Sequence, residues 1–216
     1  MNKQEGFTLI EISIVLVIIG LILGAVSLRS GSVIGGAKTA DTVALIKDLS
    51  AAINDFRSRY HYLPGDMPKA SDDISGIVSG STCDLITATA SIGNGQIDTN
   101  GEIGCVAEHL VQAGLIKGEK RGSATLNGIY TKNNMGSASD VSVLARSQGK
   151  IQTTTYPFSA TIQNVIEISG LPCETAMGLD SKMDDGNFAT GNIRASVSTC
   201  TPGGTNDPVP YLDIAL

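Results

Sequence analysis

The sequence predicts an α+β protein, with a long N-terminal helix followed by an antiparallel sheet and short helices. Three observations predict it. Positions 7–28 are an apolar run broken by one charge, Glu11. Within positions 43–60, apolar residues recur every three or four places. The remainder carries glycine-rich segments and short β-prone runs that follow the helical signals rather than alternating with them.

The chain has 216 residues, enough for one domain or one domain with an appendage. Aromatic residues make up 4%, charged residues 17%, and there are 25 glycines and no tryptophan. The C-terminal part therefore reads as a loop-rich β domain with a modest core, not a large enzyme. The net charge of −6 gives no reason to expect nucleic-acid binding, which needs clustered cations.

Taken in order, Met1–Gly6 is a polar leader containing Lys3. Phe7–Leu28 follows, and as a helix its twenty-two residues span about 33 Å, enough for a bilayer core. The cation in the short leader favours a cytoplasmic N-terminus and an exported remainder. Gly31, Gly35 and Gly36 soften the next stretch. Beyond them Val43, Ile46, Leu49, Ile53, Phe56 and Tyr60 form one apolar face. Asp41, Asp48 and Asp55 repeat at seven-residue intervals off that face. The stop is Leu63-Pro64-Gly65-Asp66, because proline disfavours helix at the residue before it. A continuous helix from Phe7 to about Tyr62 would be roughly 80 Å long. This divides the chain into a leader (1–6), an apolar helix (7–35), its amphipathic continuation (36–63) and a head (64–216).

In the head, positions 70–104 read as loop. A short helix is expected from Cys105 to about Ala113. Strands are expected at Ser123–Thr131, Val141–Arg146, Lys150–Tyr156, Thr161–Ser169, Asn192–Ser198 and Val209–Ala215. A second short helix starts at Pro172, a residue permitted in a first turn, and ends before Asp185-Gly186. Four cysteines with no Cys-x-x-Cys pair exclude a common zinc pattern. In an exported domain they read as two disulfides, with the sequential pairing Cys83–Cys105 and Cys173–Cys200 preferred because it closes two short glycine-rich segments.

Gly6-Phe7-Thr8-Leu9-Ile10-Glu11, followed by an uncharged apolar run, resembles the N-terminal signature of type IV prepilins and type II secretion pseudopilins. The resemblance implies that a prepilin peptidase cuts after Gly6 and methylates the new amino terminus at Phe7. It implies a long helix whose outer half packs on an antiparallel sheet. It also implies a single-pass precursor in the bacterial inner membrane, then a place in a surface pilus or periplasmic pseudopilus beside other pilins. No enzymatic activity is expected. Tyr60–Asp66 resembles the helix exit of such proteins, and Cys173 and Cys200 resemble the disulfide-bounded loop of many type IV pilins. One departure is that Leu28 stands in the region where type IV pilins often carry a helix proline.

A carboxylate in an apolar span is costly, about 2.5–3.5 kcal/mol at a helix centre and less near an end, so Glu11 calls for a partner. Cleavage after Gly6 creates an amine at Phe7, and methylation keeps its charge. The amine of an incoming subunit is the expected partner, which would set the filament's axial step. The leading reading is a major or minor pilin. The alternatives are a type II secretion pseudopilin and an adhesive or DNA-binding tip subunit. A conventional signal peptide cut after Ala25-Val26-Ser27 is a further possibility, opposed by Glu11 and by the amphipathic continuation.

Other groups read as structural. His61 and His109 have no nucleophile motif beside them. Asp98-Thr99-Asn100-Gly101-Glu102 lacks full calcium-loop spacing and, with Asp180, Asp184 and Asp185, reads as solvated turn. No cofactor is expected; calcium is the one alternative, because some pseudopilins hold it near their C-terminal loops. Gly93-Asn94-Gly95 reads as a turn, and Lys117, Lys120, Arg121 and Lys132 read as a solvated face.

Overall fold

The computed structural model describes residues 8–27, 30–84, 92–117, 129–130, 142–147 and 156–216. It divides into two compact units, residues 1–37 and 38–216.

The first unit contains α1 (Leu9–Ser27). The second helix, α2, runs Ser30–Tyr60. Leu28 and Arg29, where the two would join, lie outside the described residues, and so does the expected continuity of one long helix.

In the second unit the sequence periodicity translates directly into packing. Ile46, Leu49, Ile53 and Phe56 of α2 are buried, and Val43 and Tyr60 are partly buried against the same core. Asp41, Asp48 and Asp55 face solvent. The opposing surface is a five-stranded antiparallel sheet in the order β1-β2-β3-β5-β4. Its strands are β1 (Ile129–Tyr130), β2 (Ser142–Ser147), β3 (Asn164–Leu171), β4 (Ile193–Ala195) and β5 (Val209–Ala215). The register aligns Ile166 with Ile214 and Ile168 with Leu212, and Ile193 with Ile214, so these apolar residues share one core with the α2 stripe. The intervening positions of the same strands align Glu167 with Asp213 and Arg194 with Asp213, which is the period-two alternation of a sheet.

The α+β architecture expected from the sequence is present. β5 matches its expected range, and β2 and β3 are each shifted by one to three residues at their ends. β4 is shorter than expected; beyond it the Ser196 hydroxyl accepts the Tyr211 N–H. Most of the expected strands at 123–131 and 150–156 lies outside the described residues.

The stretch 70–104 departs from its expected loop character. It holds 3₁₀ turns at Ala70–Asp72 and Thr82–Asp84, and it contributes Ala70, Ile74, Ile77 and Ile97 to the core. Helix α3 spans Asn100–Gln112, starting five residues earlier than expected. Thr99 and Glu102 form its capping box: Thr99 Oγ1 accepts the Glu102 N–H at 3.1 Å, and Glu102 Oε2 accepts the Thr99 N–H at 2.8 Å. Helix α4 spans Cys173–Met183, with Pro172 at its N-cap.

The two disulfides are Cys83–Cys105 and Cys173–Cys200, the pairing preferred from the sequence. The first ties the 3₁₀ turn at 82–84 to α3. The second ties the start of α4 to the 200–207 loop. Asp207 reinforces that loop by accepting the Cys173 N–H at 2.9 Å and the Gly203 N–H at 2.6 Å, a carboxylate at a helix N-terminus.

Phe56 is fully buried, with its ring 4.6 Å from Tyr60 and stacked 5.9 Å from His109. Phe56→Ala is expected to lower unfolding free energy by about 3–5 kcal/mol, read by denaturant titration. Replacing both Cys173 and Cys200 by Ser is expected to cost about 3–4 kcal/mol in the same assay, since the bridge closes a loop of sequence separation 27.

Candidate functional site

Among the described residues, α1 presents the least ordinary surface. Large apolar side chains of α1 are exposed on every face, from Leu9 at 92% to Ile19 at 46%. A soluble surface helix turns one apolar stripe inward and keeps a polar back; α1 has no polar back. Glu11 is its one ionisable side chain. Burying an aliphatic side chain of this size is worth about 1.5–3 kcal/mol. A dozen half-exposed ones therefore represent on the order of 10 kcal/mol, comparable with the whole stability of a domain. Such a helix is built to be covered.

Glu11 sits in the first turn. Its Oε2 accepts both the backbone N–H and the hydroxyl of Thr8, each at 2.8 Å, and the Thr8 Oγ1 accepts the Glu11 N–H at 3.4 Å. This reciprocal cap satisfies donors that a helix start otherwise leaves open, and the carboxylate lies at the favourable end of the helix dipole. The sequence marked Glu11 for its charge but missed Thr8, whose three-residue spacing to a glutamate is the capping signal. Gly6 and Phe7 lie outside the described residues. Among the described residues no helix is long and apolar enough to cross a membrane. The 19 residues of α1 measure about 28 Å, just under a hydrocarbon core of about 30 Å, and both end residues of the expected span, Phe7 and Leu28, lie outside the described part.

The head's polar groups resolve one by one. His61 is exposed at the α2 exit, in a left-handed conformation with φ 62°. His109 is fully buried. Its Nδ1 accepts the Gly65 N–H at 3.0 Å and its Nε2 lies 2.7 Å from the Cys83 carbonyl, which requires the proton on Nε2. Burial pushes its pKa below the usual histidine value, only partly opposed by the Cys83 carbonyl and by Asp84. Both nitrogens are committed to backbone, so the ring joins the helix-exit turn to the first disulfide. Gly65 is required there: with φ 89°, a Cβ would lie 2.4 Å from the Glu102 carbonyl oxygen.

Asp66, read from sequence only as part of a turn, is buried and accepts N–H groups from Gly93, Asn94 and Gly95. The Gly93-Asn94-Gly95 turn thus wraps a carboxylate. Burial raises the pKa of Asp66 despite these bonds, and burial together with the nearby Asp66 charge raises that of Glu102. Asn164 fastens the same turn to β3, accepting the Ile97 N–H at 3.0 Å and donating to the Gly95 carbonyl at 2.9 Å. Lys117 is exposed, while Lys120, Arg121 and Lys132 lie outside the described residues.

In the Asp180, Asp184 and Asp185 group, Asp185 is exposed and Asp184 half-buried, as expected of a turn, but Asp180 lies within α4. Asp180 is 1% exposed. The three side chains each bring one oxygen to within 4.8 Å of the others. Burial, then the charges of Asp184 and Asp185, push the pKa of Asp180 up to about 6.

Comparison with known proteins bears on the first of these regions. Residues 1–27 match the family model of the prokaryotic N-terminal methylation motif, so the N-terminal segment carries the prepilin-type signature. No curated protein and no solved structure matches the chain.

The depressed pKa of His109 has a consequence for stability. An unfolded imidazole titrates near 6.5, whereas the folded one holds its proton less well, so the unfolded state binds more protons as pH falls below that value. The His109 contribution is therefore present above about pH 6.5 and is lost on acidification. His109→Gln is expected to remove this acid-dependent loss. Urea midpoints of wild type and variant measured from pH 7.5 to 5 check it, and parallel curves would refute it.

Proposed function

We propose that this chain is a structural subunit, a major or minor pilin, of a type IV pilus-like filament. The observation that carries the proposal is the surface of α1: apolar on all sides, with a single carboxylate in its first turn, inside a segment that matches the N-terminal methylation motif. A prepilin peptidase cuts after Gly6 and methylates Phe7. Before assembly the precursor stands in the inner membrane, where lipid covers α1 and the head lies on the periplasmic side. In the filament, α1 helices of neighbouring subunits cover one another.

Glu11 supplies the register. In the isolated chain its carboxylate is satisfied by its own Thr8 through one oxygen. Once α1 is surrounded by apolar neighbours, a carboxylate with only neutral donors remains costly. The methylated amine of a neighbouring subunit, which keeps its positive charge, offsets that cost and favours one axial offset over others.

Mass spectrometry of the mature protein is expected to find N-methylphenylalanine at position 7. An N-terminus at Leu28 would instead establish a conventional signal peptide and sink the proposal. Glu11→Ala is expected to leave cleavage intact while reducing incorporation into sheared filaments by about tenfold or more, in line with a loss of a few kcal/mol. Wild-type incorporation of that variant would refute the pairing role. Immunogold labelling along isolated filaments distinguishes a subunit distributed through the shaft from one confined to the tip.

A further inference from the structure

The turn at 93–95 places glycine directly after asparagine. In this pair a backbone nitrogen attacks the side-chain amide most readily, because glycine sets no side chain beside that nitrogen. Asn94 and Gly95 are exposed. A Cβ at Gly95 would meet nothing within 4 Å, so water reaches the pair.

The groups that such an attack uses are held in place. Asn94 Oδ1 accepts the Gln96 N–H at 2.7 Å, an Asx turn that folds the side chain back along the following peptide. This donor polarises the Asn94 Cγ carbonyl and stands where negative charge would develop on Oδ1. Asn94 Nδ2, the departing nitrogen, donates to Asp98 Oδ2 at 3.4 Å, which favours this orientation of the amide. The Gly95 N–H, the proton to be lost, is donated to Asp66 Oδ2 at 2.7 Å.

Asp66 is placed to act as a base. It is buried beneath the turn, and its Oδ1 accepts the N–H groups of Gly93 and Asn94. Burial, and then the charge of Asp98, make it hold a proton more tightly than an ordinary carboxylate. Asp98 and Glu102 are the charged groups that face it, and Tyr62 packs beside Gly93. The hydrogen bond to Asp66 does not block the attack. The N–H proton lies in the peptide plane, whereas the electron pair that attacks Cγ lies perpendicular to it.

We propose that Asn94 and Gly95 form a self-modifying deamidation site, with Asp66 as its catalytic base. The Gly95 nitrogen gives its proton to Asp66 Oδ2 and bonds to Asn94 Cγ. The Cγ–Nδ2 bond breaks, the proton passes through solvent to Nδ2, and ammonia leaves behind a cyclic succinimide. Water opens that ring at either carbonyl, giving aspartate or isoaspartate at position 94. The product adds a negative charge to an exposed turn beside Asp66 and Asp98. Isoaspartate also lengthens the backbone between the N–H groups that Asp66 gathers. The change runs one way, so it marks the age of the head. The site is read from the head alone and is independent of the filament proposal.

The test incubates the full chain in non-ionic detergent and follows position 94 by peptide mass spectrometry, which separates asparagine, succinimide, aspartate and isoaspartate. Folding ordinarily slows this chemistry by restraining the backbone. Here the native chain is expected to convert at least about tenfold faster than the same chain unfolded in urea at the same pH. An equal or slower native rate overturns the proposal. Asp66→Asn is expected to abolish the native advantage, and a folded variant that converts at the wild-type rate also overturns it. Should the variant not fold, the wild-type pH profile tests the same role. With Asp66 as base, the native rate is expected to level off towards neutral pH, once the carboxyl group is ionised. A native rate that keeps rising in proportion to hydroxide overturns the proposal.

Discussion

The head depends on one contact surface, the apolar face of α2 laid against the sheet. Ile46, Leu49, Ile53 and Phe56 lie at helical spacing, while Ile166, Ile168, Leu212 and Ile214 alternate with polar residues along β3 and β5. Neither surface is stable alone, because each exposes an apolar stripe. Together they make a core that the remaining elements edge and close. Phe56 carries this core to the helix exit, where its ring meets both Tyr60 and His109.

Around that exit the chain solves a second problem, the burial of polar groups beneath a glycine-rich covering. Gly65 approaches α3 too closely for any side chain, and its N–H is taken by His109. The other ring nitrogen meets the carbonyl of Cys83, whose sulfur is bonded to Cys105 of α3. Asp66 takes the N–H groups of the 93–95 turn, and Asn164 ties that turn to the sheet. Helix exit, disulfide, turn and the start of the central strand are thus joined by short, directional bonds.

The N-terminal unit follows the opposite logic. α1 satisfies its backbone internally and caps its own start through Thr8 and Glu11, yet covers none of its apolar surface with polar residues. Stability in the head comes from contacts within the chain, whereas α1 leaves its apolar side chains exposed. The methylation motif and α1 both end at residue 27.

Much of this was legible in the residues themselves. Periodicity set the α2 face, alternation located β2, β3 and β5, and the Gly6–Glu11 string marked the N-terminus, because each signal depends only on near neighbours in the chain. The capping box at Thr99 and Glu102 was also legible, but the same residues resemble half of a calcium loop and were read as turn. Other features had no local signal. Nothing beside Asp66 announces that it gathers three N–H groups from residues 27–29 positions away. Nothing beside His109 indicates that both its nitrogens are taken by backbone. The acidic string at 180–185 looks like any solvated turn until burial removes Asp180 from water. The sequence by itself determined the α2 face, β2, β3 and β5 and the N-terminal methylation signature, since those follow from spacing. Only the tertiary structure decided which polar groups are desolvated, because desolvation depends on which distant segments close over them.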